Sequence, residues 1–361
     1  MNTLSLKSYT LMFRPALICL TLFLSVATAP DTIMAATCID FDSPHTTGQL
    51  DRDAISESSG LTVSRTHLDT FWTHNDSGDE ARFFGVSSGG DDLGTVRVTG
   101  ATANDWEAMT LGACDNQTCL YIGDVGDNEA TRNDISLWRV TEPVPPGKGN
   151  ETFALATEIE LRYPDGPMDC EAIAYDPLTS DILFIEKSWS AKARVHRLPA
   201  GAWNTTSDGD ITLTYIDTID FDTDSLTGGL VTGADINPAG VSLFARTYVA
   251  GFHINLIRDT EGNISGFDTI TQDEVYGDGQ CESIAFGPDG MELWFTCEDE
   301  NGPIGKSDCL TWRDDSTGST TTEEPKGCQS AHAPWWLLLI LLYCKIRISS
   351  PTISSTEVLP P

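Results

Sequence analysis

Glu171-Ala-Ile-Ala-Tyr-Asp-Pro has four counterparts along the chain: Glu57-Ser-Ser-Gly-Leu-Thr-Val, Glu107-Ala-Met-Thr-Leu, Thr232-Gly-Ala-Asp-Ile-Asn-Pro and Glu282-Ser-Ile-Ala-Phe-Gly-Pro. The five starts fall at 57, 107, 171, 232 and 282, so the intervals are 50, 64, 61 and 50 residues. That spacing suits the four-stranded blades of a β-propeller. Each start is followed by a turn and a second apolar strand, at Thr70-Phe-Trp-Thr, Leu120-Tyr-Ile, Ile182-Leu-Phe-Ile, Ser242-Leu-Phe-Ala and Glu292-Leu-Trp-Phe-Thr. Pro-Leu-Thr-Ser, Pro-Ala-Gly and Pro-Asp-Gly supply the turns in the last three. Third strands read at Arg82, Ser136, Arg194 and Gly251, and fourth strands at Gly94, Glu158, Leu213 and Ser265. The fifth blade has no fourth strand of its own. Thr37-Cys38-Ile-Asp-Phe-Asp42 would complete it and close the ring. The expected fold is all-β, a five-bladed propeller over 37–314; a sixth blade would fit in the longer intervals, but no sixth start is visible.

Of 361 residues, 54 are acidic and 21 basic, a formal net charge of −33. Such a field repels nucleic acid and anionic membrane, and it makes Ca2+ the natural cation to suspect, because hard cations seek carboxylate oxygens. Lys7 and Arg14 precede the apolar run from Pro15 to Ala29, and small residues follow, the layout of a secretory signal over 1–36. Eight cysteines then remain before the hydrophobic tail, and in an exported chain that count suggests disulfides. Cys281 and Cys297 lie about the turn of blade five, Cys114 and Cys119 flank the turn of blade two, and Cys38 with Cys309 would staple the closing strand. Cys170 is left unpaired.

In a propeller the first strands line the axial channel, so Glu57, Glu107, Glu171, Thr232 and Glu282 are expected to form one ring. Four converging carboxylates need a cation or shifted pKa values. One calcium would satisfy them, and hydrogen bonds to the next blade are the plainer alternative. Residues just past the second strands share that rim, among them His74, Asp76, Lys187, Arg246 and Glu298. His74 or Asp76 could activate water, while Lys187 and Arg246 could neutralise an anionic group. The turn Asp76-Ser-Gly78-Asp79 echoes Asp124-Val-Gly126-Asp127, which points partly to turn architecture. Asp220, Asp222 and Asp224 begin like a calcium loop, but Ser225 stands where that loop needs glycine.

A Thr/Ser/Glu-rich stalk over 315–333 leads to the apolar segment 334–347, with Trp335-Trp336 before Lys345 and Arg347, and a polar tail over 348–361. With Gly327-Cys328 ahead of it, this end resembles the sorting tails of Gram-negative bacteria, the myxobacterial type above all. A plain membrane anchor is the alternative, and either places the protein at a cell surface. At Trp72-Thr-His-Asn-Asp-Ser-Gly-Asp, Asp105-Trp-Glu, Tyr121-Ile-Gly-Asp-Val-Gly-Asp-Asn, Asp169-Cys-Glu-Ala and Arg246-Thr-Tyr, the body resembles a family of exported bacterial propellers of unsettled activity. It is more loosely similar to calcium-activated nucleotidases (apyrases), which carry one Glu or Ser per blade around an axial calcium, and to phytase-like propellers. Those likenesses imply a surface-tethered, calcium-dependent hydrolase of phosphoesters or phosphoanhydrides, with a noncatalytic ligand-binding or adhesion propeller as the alternative. A monomer is expected, and the ligand is unspecified.

Overall fold

In the computed structural model the described residues are 36–204, 211–221, 229–275, 280–314 and 319–322. The expected signal up to residue 35, Asp222 and Asp224, and the apolar segment 334–347 with its tail lie outside them. Among the described residues no helix is long and apolar enough to cross a membrane.

The strands, in chain order, are β1 (Ala36–Phe41), β2 (His45–Gln49), β3 (Ser58–Val63), β4 (Phe71–Asn75), β5 (Arg82–Val86), β6 (Asp92–Thr99), β7 (Trp106–Cys114), β8 (Gln117–Asp124), β9 (Ile135–Thr141) and β10 (Glu151–Arg162). They continue with β11 (Cys170–Tyr175), β12 (Ile182–Glu186), β13 (Lys192–Leu198), β14 (Ile211–Thr212), β15 (Thr214–Asp220), β16 (Val231–Ile236), β17 (Ser242–Thr247), β18 (Gly251–Arg258) and β19 (Ile264–Asp273). The last four are β20 (Ala285–Phe286), β21 (Glu292–Thr296), β22 (Pro303–Asp314) and β23 (Ser319–Thr322). They form the blades β3-β4-β5-β6, β7-β8-β9-β10, β11-β12-β13-β15 and β16-β17-β18-β19, and a closing blade β20-β21-β22 completed by the N-terminus. Blades one and two are also joined at their outer edges, where β6 and β10 pair in parallel from Thr95↔Glu151 to Thr99↔Leu155.

Packing follows from the repeat. Among the described residues the buried apolar side chains fall into five clusters, each wedged between two neighbouring blades. Trp72 and Phe83 meet Trp106 and Trp138 between blades one and two. Leu137 and Leu161 meet Ile173 and Phe184 between two and three, and Ile185 and Val195 meet Val231 and Phe252 between three and four. Phe244 meets Phe286 and Phe295 next, and Ala285, Trp294 and Ile304 meet Leu61 and Phe84 at the closure. Among the described residues the blades meet at these five interfaces, the last of which joins the closing blade to the first.

Closure uses two N-terminal segments. The expected strand β1 pairs with the outer half of β22, from Ala36↔Asp314 to Phe41↔Cys309. The strand that completes the blade proper is β2, paired with β22 from His45↔Lys306 to Gln49↔Pro303. His-Thr-Thr-Gly-Gln carries no apolar alternation, so it gives no strand signal; its position comes from its partner. Similarly, Ser319–Thr322 lies inside the expected stalk yet pairs with β22 as β23. All three anticipated disulfides are present, Cys38–Cys309, Cys114–Cys119 and Cys281–Cys297, and Cys170 is a buried free thiol.

Candidate functional site: the mouth of the axial channel

Hydrogen-bond register sorts the mouth residues into equivalent places. The amides of Asp76, Val125, Lys187 and Glu298 donate to the carbonyls of Glu57, Asp105, Asp169 and Gln280 respectively. Two residues further along each first strand stand Ser59, Glu107, Glu171 and Glu282, with Thr232 in blade four. Ser59, Glu107, Glu171 and Thr232 line a cavity of about 10 Å³ on the axis, room for about one water. The innermost ring is therefore Ser59, Glu107, Glu171, Thr232 and Glu282. Glu57 is displaced from the place expected for it. β3, β7, β11 and β16 share a bulge at this level, so the register of β3 is the common one; Glu57 stands two residues before the ring position, exposed at the level of Asp105, and Ser59 takes the ring position. The glutamate letter misled; Gly60-Leu61, matching Ala108-Met109, was the better guide.

An upper ring stands over the inner one: Asp76, Val125, Lys187, Tyr248 and Glu298. Together the two rings split the mouth into unlike halves. On one side carboxylate oxygens of Asp76, Glu282 and Glu298 lie within 4.8 Å of one another, and so do those of Asp76, Asp105 and Glu107. Asp76 belongs to both sets. On the other side Lys187 forms an ion pair with Glu171. Its Nζ also donates to the Tyr248 hydroxyl at 3.1 Å, and that hydroxyl donates to Glu282 Oε1 at 2.9 Å. The half facing blade four, where Thr232 replaces a carboxylate, thus carries its own cation.

Electrostatics record the crowding. Burial, and then the neighbouring Glu171 and Asp76, push Glu107 well above the usual carboxylate range. Burial followed by Asp76 raises Asp105, and burial raises Glu282 against the pull of the Tyr248 hydroxyl. Glu298 is pushed up to about 8 by burial and by Glu282. Glu171 rises to about 8 through burial, opposed by Lys187. Burial alone would lower the Lys187 ammonium, but Glu171 overrides it and holds Lys187 raised.

His74 and Arg246 occupy one equivalent place, two residues before the upper ring, and both are fully buried. That place belongs to blade packing. His74 Nδ1 meets Asn75 O at 2.8 Å, its ring packs edge-on against Trp106, and a Cβ on Gly60 would come within 2.2 Å of Nε2. Burial lowers its pKa. Arg246 Nη1 donates to Ser283 O at 3.3 Å, and burial lowers its pKa to about 10 although Glu282 opposes this. The roles expected of them, general base and anion binder, need solvent access that neither has. Of the echoed turns, Asp79, Asp124 and Asp127 are structural, Asp79 pairing with Arg82, and Asn75 holds in blade one the place of Asp124. Asn75 Oδ1 accepts from Ser56 N and Glu57 N, Asp124 accepts from Asn104 N, Asp105 N and Arg132, and Asp127 caps Thr131 N and Arg132 N.

The donor set suits a hard cation: five carboxylates, with oxygens the only ligand atoms. Two further features fit. Glu171 Oε2 is buried and has no hydrogen-bond partner. Gly126 lies so close to the acids that a Cβ there would come within 2.4 Å of Asp105 Oδ2 and 2.6 Å of Glu107 Oε1, which keeps that side of the mouth open.

A pH dependence follows for the cation-free protein. A carboxyl that titrates higher folded than unfolded binds an extra proton when folded, so its contribution is full below about pH 4 and is lost as the pH rises through its folded pKa, about 8 for Glu298. For Glu107, Glu282 and Glu298 the Tm should therefore fall between pH 5 and pH 8 in chelator. A Tm that rises across that window would show that other groups govern the mouth.

No protein-family profile matches the chain, and comparison with curated proteins finds no match. Among solved structures, the chain is similar to the β-propeller domain of Cps50 (Swd1) from Myceliophteria thermophila at 12% identity and a TM-score of 0.38, over 74% of this chain and 73% of that one. An auxiliary nutrient binding protein from Bacteroides thetaiotaomicron matches at 12% identity and a TM-score of 0.40, over 82% and 64%. A chain of a mitotic checkpoint complex matches at 14% and 0.35, over 68% and 60%. The chain is, by its own strand order, a β-propeller.

Proposed function

We propose that the protein is an exported propeller that binds a divalent cation, Ca2+ by its donor chemistry, at the channel mouth and uses it to hold a ligand. The observation that carries this is Asp76, whose carboxylate belongs to both acid sets and links Glu107 and Asp105 to Glu282 and Glu298. Asp105, Glu107, Glu282 and Glu298, whose protonation burial favours, crowd around Asp76 in a charge cluster that a cation relieves. Export accords with three disulfides, which persist in oxidising compartments.

Binding is the better-supported role than hydrolysis. Of the four residues first considered for catalysis, His74 and Arg246 are enclosed and Lys187 is neutralised by Glu171; only Asp76 stands in the mouth with its carboxylate among the cation ligands. A bound calcium would supply coordination to ligand oxygens. Asp76 and Glu107 would fix it, and Lys187 would keep Glu171 from adding further charge.

A cation that binds only the folded ring raises stability by mass action, about 2.7 kcal/mol at a hundredfold excess over Kd. The Tm of the signal-free body should rise with calcium and return on chelation. Glu107→Gln should weaken the cation's affinity while leaving the propeller folded, since the amide keeps the shape without the charge. No calorimetric heat and no shift in Tm would remove the cation site. Turnover of nucleotides, phytate or lactones in calcium would favour the hydrolase instead.

A further inference from the structure

The rim beside Lys187 carries Trp189, 76% exposed. Two residues span at most about 7 Å of chain, so the backbone of Trp189 lies on the same rim as that of Lys187. The turn bearing it is pinned. Ser188 N donates to Gly229 O at 2.8 Å, the Ser188 and Ser190 hydroxyls share a 2.9 Å hydrogen bond, and Ser190 Oγ donates to Lys192 O at 3.0 Å. Gly229 packs so tightly beneath that a Cβ would come within 1.9 Å of Ser190 O. On the next blade Val249 follows Tyr248 and is 66% exposed. The self-neutralised half of the mouth is thus bordered by two apolar side chains held out in solvent.

We infer that the ligand of the proposed cation site is a saccharide, bound with one ring face on Trp189 and hydroxyl oxygens completing the coordination of the cation. The inference rests on the cation reading above. A calcium ion takes six to eight oxygens, and neutral hydroxyls can fill places that the carboxylates leave. A rigid indole offers a large contact at little entropic cost. A nucleotide could also stack there, but a polyphosphate would approach a chain of net charge −33, whereas a neutral sugar is not repelled. Lys187 and the Tyr248 hydroxyl remain as polar partners on the same side.

The test is to screen the signal-free body in calcium against an array of defined neutral and acidic glycans, and to titrate the best binder by calorimetry with Trp189→Ala, Trp189→Phe and in chelator. ATP serves as the nucleotide probe. Expected are binding to a neutral glycan, its loss in chelator, a weakening of about tenfold or more in Trp189→Ala, and partial retention in Trp189→Phe. The calcium-dependent rise in Tm should be unchanged in both variants. If that rise is present but no glycan binds, if Trp189→Ala binds as well as the parent, or if ATP binds and the glycans do not, the saccharide assignment is overturned and the cation site stands. Absence of the rise in the parent overturns both.

Discussion

Replacing Cys38 and Cys309 together by serine should lower stability by about 5.5 kcal/mol, whereas replacing Cys114 and Cys119 should cost about 2 kcal/mol, on the chain-entropy estimate for closed loops. The two bridges span sequence separations of 271 and 5. The long one matters because, among the described residues, β1 and β2 join a blade whose other strands, β20 to β23, come from the far end of the sequence. Without the bridge, opening the ring at this blade releases both ends of the chain. Denaturant titration of the two double variants measures the difference. Equal losses would show that the long bridge acts through local contacts rather than by holding the ring closed.

Arg258→Ala is expected to cost about 3–5 kcal/mol, the range for stripping one partner from a buried ion pair. Asp176, at the end of β11, is 1% exposed at its side chain, and Arg258 from the neighbouring blade meets both its oxygens at 2.8 Å. The same guanidinium donates to Gly240 O at 2.6 Å and to Gly262 O at 2.7 Å, so one side chain ties together a turn of blade three and two turns of blade four. Arg258→Lys should recover little, since an ammonium cannot reproduce the fork. Adding Asp176→Ala to Arg258→Ala should return part of the loss, because no buried charge is then left alone. A loss below about 1 kcal/mol for Arg258→Ala would mean that water screens the pair.

The fold was legible where residue type dictates backbone. Asp176-Pro177, Asn237-Pro238 and Pro288-Asp289-Gly290 mark turns between strands one and two, and cysteines about two of the hairpins fix pairs across the ladder. It was illegible where a strand exists only because a partner waits for it, as with His45–Gln49. The site was legible to within a strand position. Glu107, Glu171, Thr232 and Glu282 stand where the repeat puts them, but the first start, matched on its glutamate, falls two residues early, at Glu57 instead of Ser59. His74 and Arg246 were placed on the rim because they are basic and near it. They lie two residues deeper along the strand than Asp76 and Tyr248, where the next blade covers them with Trp106 and the Ser283 carbonyl. Tyr248 gave no signal of its own; only its equivalence to Lys187 and Glu298 reveals it.

The parallel seam between β6 and β10 also bears on how this protein stays separate from its own copies. An outer blade strand normally presents unpaired amides and carbonyls on which another chain can build a sheet. Here the outermost strands of two blades cover each other, helped by Pro143, Pro145 and Pro146 in the connection that carries the chain across. β14 then lies against the end of β10, at Leu161 and Arg162. Among the described residues the outer strands of blades three and four have no such cover from each other's ladders; they carry Asp217 on β15 and Asp268 on β19, while Asp220 is paired with Lys192 and Asp273 has a buried oxygen. Like charges meeting across two such edges repel, so the acidity of the chain guards against aggregation where pairing does not.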